Sequence, residues 1–131
     1  MPWVEVFVVL YVCHQVGDYV LQTEWQALNK RGGLSSGAPQ ARSALLQHIF
    51  SYTLAFVPAL VWLSDSLGAG VLWLAALIAI PHLIQDDGRL LSAYAMRFKK
   101  ADLAQNPALG AALDQAFHIA ALFLTALVAA S

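Results

Sequence analysis

The sequence predicts an all-α membrane protein, a polytopic four-helix bundle, on three observations. Hydrophobic residues fill 60% of the 131 positions and only 11% are charged, with a mean hydropathy of +0.63. A soluble domain carries about a quarter charged residues, and a soluble core of this length has no room for so much apolar surface. The apolar residues gather into four runs, each near the roughly 20 residues that a spanning helix needs. All seven basic residues fall in just two of the stretches between those runs. The length allows a single domain, 1–131, and the net charge of −1 gives no basis for binding nucleic acid.

The first run, about 2–21, lacks the basic start and small-residue cleavage site of a signal peptide and is expected to be a retained span. The second covers about 44–63. The third, about 67–87, contains Pro81, which is expected to kink a membrane helix rather than end it. The fourth covers about 109–130.

Orientation follows from the basic residues. Lys30, Arg31 and Arg42 lie between spans one and two, and Arg89, Arg97, Lys99 and Lys100 between spans three and four. The N-terminus, the turn from Ser64 to Gly70 and the C-terminus carry no Lys or Arg. The positive-inside rule therefore predicts cytoplasmic long loops and both termini outside. Residues 31–40 (RGGLSSGAPQ) are expected to be flexible, and Thr23 to Lys30 to extend the first helix beyond the membrane surface. Arg89 to Leu103 mixes Leu90, Leu91, Tyr94, Met96 and Phe98 with four basic residues. It fits either a short helix on the anionic inner leaflet or a plain connector.

The ionisable residues inside the spans form a pattern. His14 and Asp18, His82 and Asp86, and Asp114 and His118 are pairs at i and i+4, so each pair shares a helical face. His48 lies one turn into span two, beside Gln47. Alternating helix direction brings all of them to the cytoplasmic side, with each imidazole about 6 to 10 Å below the surface. His precedes Asp in the two descending helices and follows it in span four, and this reversal cancels the change of direction. His14, His82 and His118 are thus expected in a deeper layer, Asp18, Asp86 and Asp114 about one turn nearer the cytoplasm, and His48 at the side.

A weak repeat fits this arrangement. HQVGD at 14–18 matches HLIQD at 82–86 in its His and Asp, and the next histidine follows after 34 residues in one half and 36 in the other. A duplicated helical hairpin with an axis along the membrane normal is suggested.

A charged side chain near the centre of a spanning helix costs roughly 2.5 to 3.5 kcal/mol, so these residues need partners. One such histidine is ordinarily a helix-bridging hydrogen bond. Four on four helices at one depth point to a shared site. Imidazole and carboxylate groups from facing helices can hold one divalent ion, or two bridged by a carboxylate, with zinc, iron and manganese all compatible. The candidate ligands are His14, Asp18, His48, His82, Asp86, Asp114 and His118. Asp18, Asp86 and Asp114 are the candidate catalytic carboxylates.

Taken together, His14, Asp18, Leu21, Gln22, Ala27 and Lys30, then His48, the His82 and Asp86 pair, and Asp114, Gln115 and His118, make a set that resembles the small bacterial and phage membrane proteins grouped as domain of unknown function 3307. The resemblance covers nearly the whole chain. It implies a small multi-pass protein of the bacterial inner membrane and adds Gln22, Lys30 and Gln115 as candidate substrate residues. The Gly- and Ser-rich stretch after Lys30 departs from the pattern.

Other polar residues have simpler readings. Cys13, the single cysteine, is expected to pack, Asp87 to face headgroups or cap a helix end, and Glu24 and Asp102 to be solvated. Glu5 is expected to snorkel at the outer end. Trp3, Trp62 and Trp73 suit the outer interface and Trp25 the inner one. Gly17 is suited to a close helix approach.

Two function classes follow from the site. One is a metal-dependent membrane hydrolase acting on a lipid-linked or otherwise anionic, phosphate-bearing substrate. The alternative is an ion or proton transport subunit, although the outer halves of spans two to four hold almost no polar side chains beyond Ser and Thr. A weaker option is an accessory protein that binds a membrane partner. The oligomeric state is open.

Overall fold

The computed structural model describes all 131 residues, and every regular element is helical. Helix α1 (Trp3–Gln15) continues as a π-helical turn, Val16–Leu21. A short helix α2 (Glu24–Asn29) follows, then α3 (Pro39–Ala55) and α4 (Val57–Leu67), a 3-10 turn (Gly68–Gly70), and α5 (Val71–Asp87). Helix α6 (Arg89–Tyr94) runs into a second π turn (Ala95–Lys99), and α7 (Pro107–Ala130) ends the chain.

Three helical stretches are long and apolar enough to cross a membrane: Trp3–Leu21, Val57–Asp87 and Pro107–Ala130. The middle one cannot be a single rod. Gly68 adopts φ 53° and ψ −130°, a combination open to glycine alone, and the chain reverses there. Tyr52 and His82, nearly equidistant from that reversal, stack ring on ring. The column built from α3 and α4 breaks at Phe56 (φ −88°, ψ −7°). Pro58 explains the break, because it has no N–H to offer the carbonyl of Leu54 and its ring crowds that turn. Pro81, by contrast, sits within α5, which continues to Asp87.

The columns form a closed ring. Helix α1 packs on α7, α7 on α5, α5 on α3, and α3 on the π turn that follows α1. Gly17 makes the last contact possible, since a Cβ there would lie 2.6 Å from Tyr52 Cδ2. Across the other seam, Trp3 and Phe7 meet Phe123 edge-on with centroids 5.5 and 6.0 Å apart. One half of the bundle interior is apolar, with Val6, Leu10, Phe56, Ala59, Leu63, Leu74, Ile78, Leu122 and Ala126 in one cluster. Cys13 packs at the edge of that cluster.

The surface is greasier than the interior requires. Val20, Phe50, Leu72, Trp73 and Leu28 are all more than two-thirds exposed. Such side chains arrayed around a bundle with a polar centre are the arrangement expected of a protein solvated by lipid. Within the helices, Thr53, Thr125 and Ser51 return their hydroxyls to backbone carbonyls of the preceding turn, so none is left unpaired.

Two connections differ from expectation. Thr23 to Lys30 does not prolong α1, because Gln22 turns extended (ψ 126°). Thr23 and Gln26 then close a capping box that starts α2 afresh. The glycine-rich stretch is not a free loop. Asp87 Oδ1 accepts the backbone N–H groups of Leu34 and Ser35 at 2.7 and 3.0 Å, and its carbonyl accepts that of Gly32 at 2.8 Å. Asp87 thus anchors the loop rather than facing headgroups. The stretch after α5 does form a helix, with Leu91 and Ala95 inward and Leu90, Met96 and Phe98 exposed. Arg31, Ser92, Leu103 and Pro107 line a common recess, so both long connections lie at the same end of the bundle.

Candidate metal centre

Four atoms from three columns of the bundle converge beneath the looped end. His48 Nε2 from α3 lies 3.0 Å from His82 Nε2 of α5. The same two nitrogens lie 3.1 and 3.3 Å from Asp18 Oδ1, and 2.9 and 3.0 Å from Asp86 Oδ2. All four residues are buried, His48 and Asp86 almost completely.

Local structure aims each of these groups. The π turn, Val16–Leu21, carries Asp18 away from a simple i, i+4 pairing with His14: Oδ2 stands 3.7 Å from His14 Nε2, while Oδ1 turns to His48 and His82. Insertions of this kind into α-helices are enriched at functional sites. On α5, His82 and Asp86 remain one regular turn apart and point the same way.

His14 belongs to the same layer but not to the four-atom knot. Its ring stacks against His118 with centroids 5.5 Å apart. Both its nitrogens are engaged, Nδ1 with the Tyr52 hydroxyl and Nε2 with Gln115 Oε1, each at 2.9 Å. The Gln115 amide donates to Asp18 Oδ2 at 3.2 Å. A carboxylate only accepts, so the amide orientation is settled, and with it the proton on His14 Nε2. His14 Nδ1 then accepts from Tyr52. The chain Tyr52, His14, Gln115, Asp18 holds the Asp18 carboxylate in place.

His118 is fixed differently. Its Nδ1 donates to the backbone carbonyl of Asp114 at 2.6 Å, and its Nε2 faces Asp86 Oδ1 at 3.2 Å. The Asp114 carboxylate is less buried, 3.6 Å from His118 Nδ1, and lines a groove that lies between α5, α6 and α7. Lys30 is buried, with Nζ 2.8 Å from Asp86 Oδ2. Gln22 bonds back to the carbonyl of Asp18 at 3.1 Å and reaches none of the cluster's side chains. The rings of His14, His82 and His118 lie together, with centroids 4.3 to 6.2 Å apart, and Asp114 lies within 4.8 Å of Asp86 and His118, with its Oδ2 3.5 Å from the Gln115 amide.

Sequence inspection passed over Tyr52 and the pairing of Lys30 with Asp86. Tyr52 follows His48 by four residues, so the spacing rule that linked the His and Asp pairs also points to it. Nothing local announces Lys30, which reaches Asp86 across 56 positions.

The donor set suits a divalent ion. Bonds of about 2.0 to 2.2 Å place tetrahedral ligands roughly 3.3 to 3.6 Å apart. Octahedral neighbours at about 2.0 to 2.1 Å are roughly 2.9 Å apart. Five of the six separations among Asp18 Oδ1, His48 Nε2, His82 Nε2 and Asp86 Oδ2 are 2.9 to 3.3 Å, between those two geometries. Asp18 Oδ1 has no hydrogen-bond partner although it is buried, and a cation between the four atoms would satisfy it.

The fold and this cluster define a helical membrane-type bundle with a buried His and Asp site at one end. The chain belongs to the family described as protein of unknown function (DUF3307), whose model matches residues 6–131. No curated protein and no solved structure matches it significantly.

Proposed function

We propose that this protein is an inner-membrane, metal-dependent hydrolase of a lipid-linked, phosphate-bearing substrate, with its site opening toward the cytoplasm. The observation that carries the metal reading is the mutual approach of Asp18 Oδ1, His48 Nε2, His82 Nε2 and Asp86 Oδ2. These four would hold the ion, and a divalent ion bound there supplies Lewis acidity toward a phosphoryl oxygen and a nucleophile at neutral pH. Gln115 and His14 orient Asp18, and Lys30 offsets the charge of Asp86.

The substrate class is supported by the groove beside the cluster. Ile84, Leu90, Leu91, Tyr94 and Phe117 give it apolar walls and about 270 Å³ of space, and Asp114 and Gln85 put polar groups within it. An alkyl chain suits those walls. A phosphate suits the end of the bundle that carries Arg31 and Arg89, which share a second recess. Asp114 is the cluster's carboxylate that faces the groove.

Orientation rests on the positive-inside rule, with the end bearing Arg31, Arg42, Arg89 and the basic residues of the second π turn in the cytoplasm. A transport role is less well supported, since the interior beyond the histidine layer is the apolar cluster from Val6 to Ala129 and offers no polar path.

Elemental analysis of the chain purified in detergent without chelators tests the metal reading. At least one equivalent of zinc, iron or manganese per chain is expected, lost in Asp18→Ala and His82→Ala. Wild type that holds no metal and takes up none of the three on dialysis would overturn it. Release of inorganic phosphate from a diacylglycerol phosphate in mixed micelles, absent in Asp114→Asn, tests the reaction.

A further inference from the structure

We propose a second cation site beside the first, built from Asp86 Oδ1, His118 Nε2 and the Asp114 carboxylate, so that Asp86 bridges two ions. The proposal rests on the four-ligand reading of the first site, since it assigns the other oxygen of the same carboxylate.

The tautomer of His118 is the first step. A backbone carbonyl only accepts, so the 2.6 Å contact from Nδ1 to Asp114 O places the proton of a neutral ring on Nδ1. Nε2 then carries a lone pair. It is aimed at Asp86 Oδ1, 3.2 Å away. Both atoms are buried and neither has a hydrogen-bond partner. Two acceptors facing each other in a dry interior repel unless a proton or a metal cation lies between them. Their separation is that of two ligands on one ion with bonds of about 2.0 to 2.2 Å.

The surroundings distinguish this site from the first. An imidazole that donates its far N–H to a backbone carbonyl is the usual posture of a metal ligand, because the bond fixes both tautomer and ring plane. His118 has that bond, whereas Nδ1 of His48 and of His82 is unpartnered. One ligand-capable atom from each of Asp86, Asp114 and His118 lies within 4.8 Å of the other two, and Asp114 Oδ2 stands 3.6 Å from the His118 ring at Nδ1. Three protein ligands leave coordination positions open, as in catalytic sites.

Access differs in the same sense. Asp18, His48, His82 and Asp86 are sealed inside the bundle, but Asp114 borders the groove between α5, α6 and α7. The second ion is therefore the one that a groove-bound substrate meets. The shared Asp86 carboxylate joins it to the first. Ions sharing one carboxylate in this way stand about 3.5 to 4 Å apart.

Manganese loading of the full chain in detergent, read by equilibrium dialysis and electron paramagnetic resonance, tests the proposal. Wild type is expected to bind two ions and to show a broad, exchange-coupled signal. Asp114→Asn and His118→Ala are expected to retain one ion with the six-line signal of isolated manganese, and to weaken the second site by at least about ten- to a hundred-fold, the cost of losing an outer partner alone. Asp114→Asn alters a partly exposed residue and so keeps the test valid if His118→Ala fails to fold. A wild type that binds one uncoupled ion, unaffected by either change, overturns the second site and leaves the first standing. A wild type that binds none overturns both.

Discussion

Tyr52 and His82 lie ring on ring, centroids 3.5 Å apart and planes within 15°, while the same tyrosine gives its hydroxyl to His14 Nδ1 at 2.9 Å. One side chain thus sets the plane of a candidate ligand and supplies the proton that the free nitrogen of its neighbour accepts. Tyr52→Phe keeps the stack and removes the bond, and is expected to cost about 1 kcal/mol with metal content unchanged. Tyr52→Ala also removes the ring, and about 3 to 5 kcal/mol is expected, with reduced metal occupancy. Denaturant unfolding in micelles and metal analysis of the two variants check this difference.

Lys30 and Asp86 make the second prediction. With metal removed, the Lys30 ammonium is the permanent cation on Asp86 Oδ2. Lys30→Met then leaves a buried carboxylate uncompensated, and stability in chelator is expected to fall by about 3 to 5 kcal/mol. An ion held by the four converging residues would bind the folded chain alone, so saturating zinc is expected to recover much of that loss. Melting temperatures in chelator and in zinc measure the gap; an equal loss in both would show that Lys30 acts apart from the metal.

How far these contacts were legible depends on their range. Helical spacing brought His14, His82 and His118 into one layer, because three or four residues always return to the same face. Gly17 was legible for a similar reason, since a residue without a side chain on an apolar face invites a neighbour. The π turn around Asp18 was not. It lets Asp18 reach His48 and His82 on other helices, and no residue type in VGDYVL encodes that turn. Thr23 and Gln26 have the spacing of a capping box, a signal the expectation of a continued first helix left unused. Lys30 and Asp87 act across more than fifty positions, where spacing rules carry no information.

Gly17 supplies a steric prediction. Its missing Cβ admits Tyr52, with Cδ2 2.6 Å and Cα 3.3 Å from where that atom would lie. The near ring atom can swing aside but the Cα cannot. Gly17→Ala is expected to push α1 from α3 and cost about 1 to 3 kcal/mol. Asp18 is the next residue, so metal affinity is expected to fall with stability. Unfolding and metal titration of this variant should move together; unchanged affinity would separate the helix contact from the site.

Asp87 gives a prediction confined to the loop. Its Oδ1 holds the N–H groups of Leu34 and Ser35 and the Ser35 hydroxyl. Asp87→Ala removes three bonds to a charged acceptor while leaving Asp86 intact. Amide exchange at Leu34 and Ser35 is expected to accelerate by at least about tenfold, equivalent to about 1.4 kcal/mol of local opening. Metal content is expected to remain that of wild type, because none of the four converging atoms belongs to the loop.

Orientation can be settled by two exposed positions at opposite ends of the bundle. Ala38 precedes α3 beside the basic loop, and Ser66 lies in the last turn of α4 near the reversal at Gly68; both are exposed. In a Cys13→Ala background, Ala38→Cys is expected to react with an impermeant maleimide only in inverted vesicles, and Ser66→Cys only in spheroplasts. The physical basis is the placement of every Lys and Arg at the Ala38 end, where anionic lipid and the membrane potential both favour retention in the cytoplasm. The opposite pattern would place the histidine layer near the outer face. It would also require a substrate delivered from outside, because the apolar cluster between Val6 and Ala129 separates the site from the far side.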